Sequence, residues 1–186
     1  MNLWIRIIIY FMTLPWRPRL ELPIETSRLR FRVLPTDLDI SLHMNNGRYL
    51  TLMDLGRLDI LFSSGLWRIM LRNRLTPIAS AVAIRYRREL RLADRIMLRS
   101  KIVAWDDKTV VIEQIFAVEG GPKNGQVAAQ ALFKGGLYDR RKRAFSPIST
   151  LMESIGVEAT SPEPTPEIAA FLATDTALKQ TERKRT

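Results

Sequence analysis

A thirteen-residue stretch, Asp37 to Tyr49 (DLDISLHMNNGRY), holds most of the side chains in this sequence that could do chemistry. It contains two carboxylates, the only histidine and two asparagines, and it leads into an apolar segment. The chain has 186 residues and no cysteine. Disulfides, thiolate metal sites, cysteine nucleophiles and histidine clusters are therefore excluded. We expect no metal and no cofactor, and chemistry that rests on carboxylates, hydroxyls, amides and one imidazole.

Helix capping is the other use for such a cluster. Asp and Asn side chains accept hydrogen bonds from the free N–H groups of a helix's first turn, and carboxylates complement the positive end of its dipole. A cap needs one polar side chain, whereas five functional groups precede this helix. The cluster therefore favours a binding or catalytic site in which one or two members also cap the helix.

The segments on either side of the cluster predict an α+β fold. Residues 27–34 alternate basic and apolar side chains, the period-2 pattern of a half-exposed strand. Residues 46–62 carry apolar side chains at helical spacing nearly all round, which predicts a buried helix. Gly56 in its interior costs about 1 kcal/mol against alanine and indicates the close approach of another backbone or of a strand. Alternating segments and turns from residue 78 to 139 then predict an antiparallel sheet wrapped around one long buried helix.

Three regions are expected along the chain. A hydrophobic arm occupies residues 1–20, the α+β domain residues 21–146, and a helical, proline-rich extension residues 147–186. Prolines at every second position of residues 162–166 predict an extended linker, and residues 167–180 have modest helical character.

The hydrophobic arm leaves two interpretations open. Residues 3–14 are apolar except for one arginine and one threonine. A transmembrane helix needs roughly 20 apolar residues, and no small-x-small cleavage motif follows, so we expect a cytoplasmic protein without a membrane span. The arm could pack on its own or a neighbouring subunit. Alternatively, residues 3–16 could lie on a membrane surface, with Trp4 and Trp16 at headgroup depth.

Positive charge is concentrated in the first half of the chain. The net formal charge is +10, and residues 1–100 carry nine of these ten charges. Such a field attracts phosphates, nucleic acid and anionic lipid alike, so it indicates an anionic partner without naming it. We expect no nucleic-acid binding, because the sequence has no ribonucleoprotein aromatic signature, zinc finger or helix-turn-helix pattern.

The arrangement DLDxxxHxNNxxY resembles the corresponding loop of hotdog-fold acyl thioesterases, both the 4-hydroxybenzoyl-CoA thioesterase-like group and the plant acyl-ACP thioesterases. It is also similar to the thioesterase superfamily member 6 group. The resemblance covers roughly residues 30–138 and implies the hotdog fold, with a homodimer or homotetramer. It places the catalytic carboxylate at Asp39 and further family positions at Ser41 and His43. Ser41 stands where the plant enzymes have Asn, and no carboxylate lies near residues 76–80, where those enzymes have a further Glu.

The resemblance implies hydrolysis of an acyl-CoA or acyl-ACP to a free acid and a thiol. A thiol leaving group has a pKa near 8.5, so its departure needs little acid assistance. Asp39 would act as nucleophile or general base, His43 would orient water or assist proton transfer, and N–H groups of residues 46–48 would polarise the thioester oxygen. The resemblance and the basic rim expected for a CoA or ACP carrier give the substrate-binding candidates: Ser41, Asn45, Asn46, Gly47, Arg48, Arg85 and Arg87.

A second class of function stays open beside the enzyme. Fold resemblance does not guarantee turnover, and the substitution at Ser41 together with the apolar arm is compatible with a non-catalytic, acyl-binding or membrane-associated hotdog protein.

Overall fold

Six strands form one antiparallel sheet that curls around a long central helix. The computed structural model describes residues 2–153, 155–156 and 160–185. In chain order the elements are α1 (Asn2–Thr13), β1 (Ser27–Arg32), α2 (Asn46–Ser63), α3 (Leu66–Asn73), β2 (Leu75–Tyr86), β3 (Arg95–Trp105), β4 (Val110–Glu119), β5 (Val127–Asp139), β6 (Ala144–Phe145), α4 (Ile148–Glu153) and α5 (Pro166–Arg185). The predicted α+β plan of strand, long helix and antiparallel meander is confirmed.

The strand order places β1 and β2 at opposite edges of the sheet. It runs β1-β3-β4-β5-β2, with β6 paired to the end of β5. Hairpins connect β3 to β4 and β4 to β5, and the chain crosses from β1 to β2 through α2 and α3. The start of α2 follows the loop that leaves β1. It also lies next to the end of β2, where Tyr86 contacts Asn46.

The core lies between α2 and the sheet, and it requires a glycine in the helix. Met53 and Leu55 of α2 pack with Leu98 and Phe116 of the sheet, all of them fully buried. A Cβ at Gly56 would clash with Ser100 Oγ and come within 2.9 Å of Gln114 Nε2. The close approach predicted from Gly56 is therefore present, and it is made by side chains of β3 and β4.

Helix α1 packs on its own domain through one face. Its Leu3 and Ile7 contact the main core, and the hydroxyl of Tyr10 donates to Asp59 Oδ1 of α2 at 3.1 Å. Asp59 is buried and also accepts from Ser27 Oγ at 2.6 Å and pairs with Arg17 Nε at 2.9 Å. Burial and the neighbouring carboxylate raise the pKa of Tyr10. The packing alternative for the arm thus holds for one face of α1, and the other face is exposed.

No helix in the described part of the chain is both long enough and apolar enough to cross a bilayer. The cytoplasmic location and the membrane contact of residues 3–16 stay predictions.

Helix α5 packs on the face of the sheet that points away from α2. Adjacent residues of β4 show the two faces: Ile112 packs with the α2 side, and Val111 packs with Phe171 of α5. Asp175 of α5 anchors the contact, because Lys134 Nζ lies 3.1 Å from its Oδ2. The helix predicted at residues 167–180 is present and longer. Residue 1 of the predicted arm and residues 154, 157–159 and 186 of the predicted extension lie outside the described residues.

Candidate functional site

The motif loop is a small closed hairpin between β1 and α2. Leu38 and Met44 form an antiparallel bridge, and the N–H of Asp39 donates to the carbonyl of His43 at 2.9 Å. Asp39 and His43 are therefore directly opposite each other, and residues in that relation project from the same face of the hairpin. Leu42 completes the turn with a φ of +59°, a left-handed conformation that is costly for a bulky side chain.

Asp37 holds this loop to the body of the protein. Its side chain is buried, accepts the N–H of Leu34 at 2.9 Å and lies 2.5 Å from Nη2 of Arg6 in α1. Its carbonyl accepts the N–H of Asn45 at 2.8 Å. Burial lowers the pKa of Arg6, and the charge of Asp37 opposes that effect. Of the two carboxylates in the motif, Asp37 is thus the structural one.

Asp39 is half-buried and accessible from one side. Its Oδ1 accepts the N–H of Ser41 at 2.9 Å, which fixes the carboxylate within the turn. Ser41 itself is exposed. The imidazole of His43 is held by a carboxylate outside the motif loop, because its Nε2 lies 2.7 Å from Oε2 of Glu89. Sequence reasoning missed Glu89, which orients the one histidine of the chain as a carboxylate partner does in many sites.

The start of α2 has one N–H that the protein leaves open. Asn45 caps the helix: its Oδ1 accepts the N–H of Gly47 at 2.9 Å, and its carbonyl accepts the N–H of Arg48 at 2.8 Å. Of the N–H groups of residues 46–48 that we expected to polarise the thioester oxygen, those of Gly47 and Arg48 are thus engaged by capping in this structure. The N–H of Asn46 has no hydrogen-bond partner among the described residues.

The remaining predicted site residues divide between the helix start and the edge strand. The side chain of Arg48 donates to the carbonyl of Thr36 at 3.1 Å. Tyr86 at the end of β2 donates its hydroxyl to the carbonyl of Asn46 at 3.1 Å. Because successive strand residues point to opposite faces, Arg85 lies on the other face of the sheet from Tyr86. Arg85 and Arg87 are both exposed.

Tyr49, one turn into α2, belongs to the core. Its ring packs edge-on against Tyr86 and Phe116, with centroids 5.2 and 5.4 Å away. Burial raises its pKa to about 12, so the phenol stays protonated near neutral pH and cannot serve as a base.

An apolar cavity of about 450 Å³ lies between α2 and the sheet. Sheet residues including Ile78 and Phe133 form one wall, and Leu3 and Ile7 of α1 form part of another. Asp39 and the other motif-loop residues do not line it. The first cavity residue on α2 is Asp54, eight positions after Asn46, which corresponds to about 12 Å along a helix axis.

Among the described residues that line this cavity, only Asp54 and Arg57 are charged, and the sequence analysis did not select them. They form an ion pair, and Arg57 also donates to Gln114 Oε1 at 2.6 Å and lies 4.0 Å above the centre of the Phe133 ring. Burial lowers the pKa of Arg57, and Asp54 opposes that effect. The sequence feature that could have identified these two residues is the presence of charged side chains inside an otherwise apolar helix.

No group of three or more His, Cys, Asp or Glu side chains within the described ranges is arranged to hold a metal ion.

These features define a class of protein: a hotdog fold with an acidic loop at the start of its central helix and an apolar cavity beneath that helix. The family model of the thioesterase-like superfamily matches residues 33–172, and the chain belongs to that superfamily.

The relatives agree with this assignment. The chain is 42% identical over 84 residues to Protein THEM6 from Xenopus laevis, covering 45% of this chain and 41% of that protein. It is 30% identical over 95 residues to the long-chain acyl-CoA thioesterase FadM from Escherichia coli K12, covering 51% of this chain and 70% of that protein. The match therefore spans about two fifths of the length of the THEM6 protein.

Solved structures show the same fold. The probable thioesterase YbaW from Escherichia coli superposes with a TM-score of 0.63 at 26% identity, covering 69% of this chain and 95% of that one. The protein SAV2348 from Staphylococcus aureus, determined in complex with CoA, has a TM-score of 0.62 at 17% identity and covers 77% of this chain and 94% of that one.

Proposed function

We propose that this protein hydrolyses acyl thioesters, with Asp39 as the reacting carboxylate and the N–H of Asn46 as the oxyanion donor. The observation that carries the proposal is the pairing of these two groups at one helix start: an accessible carboxylate in the loop and an unused N–H at the positive end of an 18-residue helix. Membership of the thioesterase-like superfamily supports the reaction class.

Two routes from Asp39 give the same products. As a base, the carboxylate takes a proton from water while the water oxygen bonds to the acyl carbon. As a nucleophile, it bonds to that carbon itself, and water then cleaves the resulting anhydride. In both routes the carbon–sulfur bond breaks and the thiolate leaves as an anion, which needs little acid assistance because thiols have pKa values near 8.5.

His43 acts in this proposal as a second polar group on the same face of the hairpin. Glu89 fixes the orientation of its imidazole, so the ring can form a hydrogen bond with a water molecule near Asp39 without rotating. We assign it the orientation of that water.

The acyl chain occupies the cavity beneath α2 in this proposal. The cavity is apolar apart from Asp54 and Arg57, so it suits a hydrocarbon chain and disfavours a polar one. Asp54 is the alternative candidate for the catalytic carboxylate, because it lines the cavity and Asp39 does not.

We propose acyl-CoA as the substrate, with acyl-ACP as the alternative carrier. FadM is a long-chain acyl-CoA thioesterase, and SAV2348 was determined with CoA. Arg85 and Arg87 are exposed cations that would contact the phosphates of either carrier. Replacing both with Gln should raise KM and leave kcat nearly unchanged; an unchanged KM would remove them from the binding site.

We also propose that two copies of this chain associate through β2, as a homodimer or as half of a homotetramer. β2 is an edge strand of 12 residues that exposes Ile78, Val82 and Tyr86. Long apolar edges of this kind are usually covered by another strand. Light scattering should give at least twice the monomer mass for the wild type and the monomer mass for Val82→Arg.

The decisive experiment is hydrolysis of acyl-CoAs of graded chain length by the wild type, Asp39→Asn and Asp54→Asn. Asp39→Asn should lower kcat at least 100-fold, within the range for loss of a general base, and Asp54→Asn should change kcat far less. The reverse order would transfer the catalytic role to Asp54. Binding of acyl-CoA by the wild type without turnover of any chain length would favour the non-catalytic acyl-binding protein.

A further inference from the structure

The outward face of α1 is apolar from Trp4 to Met12. Its side chains from position 3 to 12 alternate between packed and exposed in a helical pattern, and the one charged residue, Arg6, points inward. Trp4 and Ile8 are 70% and 57% exposed. The other exposed members of this face are Ile5, Ile9, Phe11 and Met12, and Trp16 follows at the end of the helix. Soluble proteins rarely leave such a patch uncovered, so this face indicates an interaction surface.

A row of cations borders this face at the β1 edge of the sheet. Arg28, Arg30 and Arg32 alternate with inward-facing residues of β1 and are exposed. Across the ladder, Arg99 is opposite Arg28 and Arg95 is opposite Arg32, so all five project from the same face of the sheet. Among the ion pairs of the described residues, only Arg30 of these five has a carboxylate partner, Glu119 at 3.0 Å.

The apolar face and the cation row are continuous. A groove between α1 and β1 is lined by Ile9 and Thr13 from the helix and by Arg28, Arg30 and Arg32 from the strand. An apolar strip with cations along one side matches a boundary at which hydrocarbon meets anionic headgroups.

We propose that α1 docks this protein on the surface of an anionic lipid bilayer. The exposed apolar side chains would enter the boundary between headgroups and acyl chains, and the arginine row would contact lipid phosphates. The helix is about 18 Å long, which suits a position parallel to the membrane rather than across it. Trp4 and Trp16 stand near its two ends, where aromatic rings favour headgroup depth.

A lipid surface fits these observations better than a second copy of the chain does. Pairing two copies through this face would bring the arginine rows of both into proximity, and like charges oppose such an association. The edge strand β2, at the opposite edge of the sheet, instead offers a copy the apolar side chains of Ile78 and Val82, with its one arginine, Arg85, close to the end of the strand. The docking proposal does not depend on hydrolysis. It does bring the cavity close to the membrane, because Leu3 and Ile7 on the other face of α1 line that cavity.

Co-sedimentation of the full chain with vesicles tests the proposal. Vesicles of phosphatidylcholine alone are compared with vesicles that also contain phosphatidylglycerol, each at low and high salt. The wild type should bind the anionic vesicles more tightly, and high salt should remove most of that difference. Ile8→Glu should weaken binding at least tenfold. Leu178→Glu is the matched control, since Leu178 is an exposed apolar residue of α5 on another side of the molecule.

The cation row has its own matched pair of variants. Each cation near an anionic membrane contributes about 1 kcal/mol, roughly a factor of five, so Arg28→Gln with Arg99→Gln should weaken binding to anionic vesicles about 25-fold. Arg140→Gln with Lys142→Gln removes the same charge at exposed positions after β5 and should have little effect.

Three results would overturn the proposal. One is a wild type that binds neither kind of vesicle. Another is equal binding by Ile8→Glu and Leu178→Glu. The third is a loss of oligomer mass in Ile8→Glu, which would make this face a contact between copies. Trp16→Ser, at an exposed position outside α1, repeats the test if Ile8→Glu does not fold.

Discussion

Nη2 of Arg6 lies 2.5 Å from Oδ2 of Asp37, and both side chains are almost completely buried. The same guanidinium donates to the carbonyl of Arg32 at the end of β1. The arm therefore reaches across to the loop that carries Asp39, and α1 is part of the framework of the candidate site.

Arg6→Met should lower the free energy of unfolding by about 3–5 kcal/mol, because removing the guanidinium takes a positive charge away from the buried carboxylate of Asp37. Urea titration measures the change. Arg30→Gln is the matched control: its pair with Glu119 is largely exposed and should contribute less than about 1 kcal/mol. Equal losses of the free energy of unfolding in the two variants would mean that burial does not increase the contribution of the Arg6–Asp37 pair to stability.

Leu42→Gly should stabilise the protein, in contrast to most glycine substitutions. A left-handed conformation costs a side chain of this kind about 1–2 kcal/mol, and glycine avoids that cost but gains about 0.5–1 kcal/mol of unfolded-state entropy. A net gain of up to about 1 kcal/mol is expected from thermal unfolding. Ile40→Gly, in the same turn without a positive φ, should be neutral or destabilising. A loss of stability in Leu42→Gly would show that the turn is unstrained.

Gly56→Ala should destabilise the fold by about 1–3 kcal/mol, as expected for overpacking, despite the better helix propensity of alanine. The added methyl group would clash with Ser100 Oγ. Combining Gly56→Ala with Ser100→Ala removes that atom and should recover part of the loss in the same urea titration. No recovery would place the conflict at Gln114 or Leu98, the two other near neighbours.

Glu89→Gln should lower kcat several-fold with little change in KM, because Gln still accepts a hydrogen bond from His43 but holds the imidazole less firmly than a carboxylate does. His43→Gln should lower kcat by at least tenfold. Steady-state kinetics with the best acyl-CoA measures both. Glu119→Gln, at the end of β4, is the control, because the carboxylate of Glu119 pairs with Arg30 and not with His43. An unchanged kcat in His43→Gln would reduce the histidine to a structural role.

Acid should loosen the contact between α5 and the sheet. The hydrogen bond from Lys179 and that from Lys134 hold the pKa of Asp175 below its usual range. Because the folded-state pKa is lowered, this contribution is fully present above the ordinary value of about 4 and is lost as the pH falls through the lower folded-state value. Asp175→Asn should therefore be less stable than the wild type at pH 7 and more nearly equal to it at about pH 3. Glu163→Gln, at an exposed position before α5, should show no such convergence.

The helices and strands were predictable because they follow from local spacing. The buried helix was expected at residues 46–62 and is Asn46–Ser63, and the strand expected at residues 27–34 is Ser27–Arg32. Apolar periodicity, proline and glycine act over a few neighbouring residues, so a single sequence contains that information. The motif at residues 37–49 also pointed to the correct superfamily.

What the sequence determined by itself was the order of elements, the buried helix and the cluster of polar groups before it. Only the tertiary structure decided that Arg6 pairs with Asp37, that Glu89 holds His43, and that capping by Asn45 leaves the N–H of Asn46 without a partner in the described part of the chain. It also decided that the cavity faces Asp54 instead of Asp39. The physical reason is separation along the chain: Arg6 and Asp37 are 31 positions apart, and such partners are chosen by how helices and sheet pack, which no local pattern records.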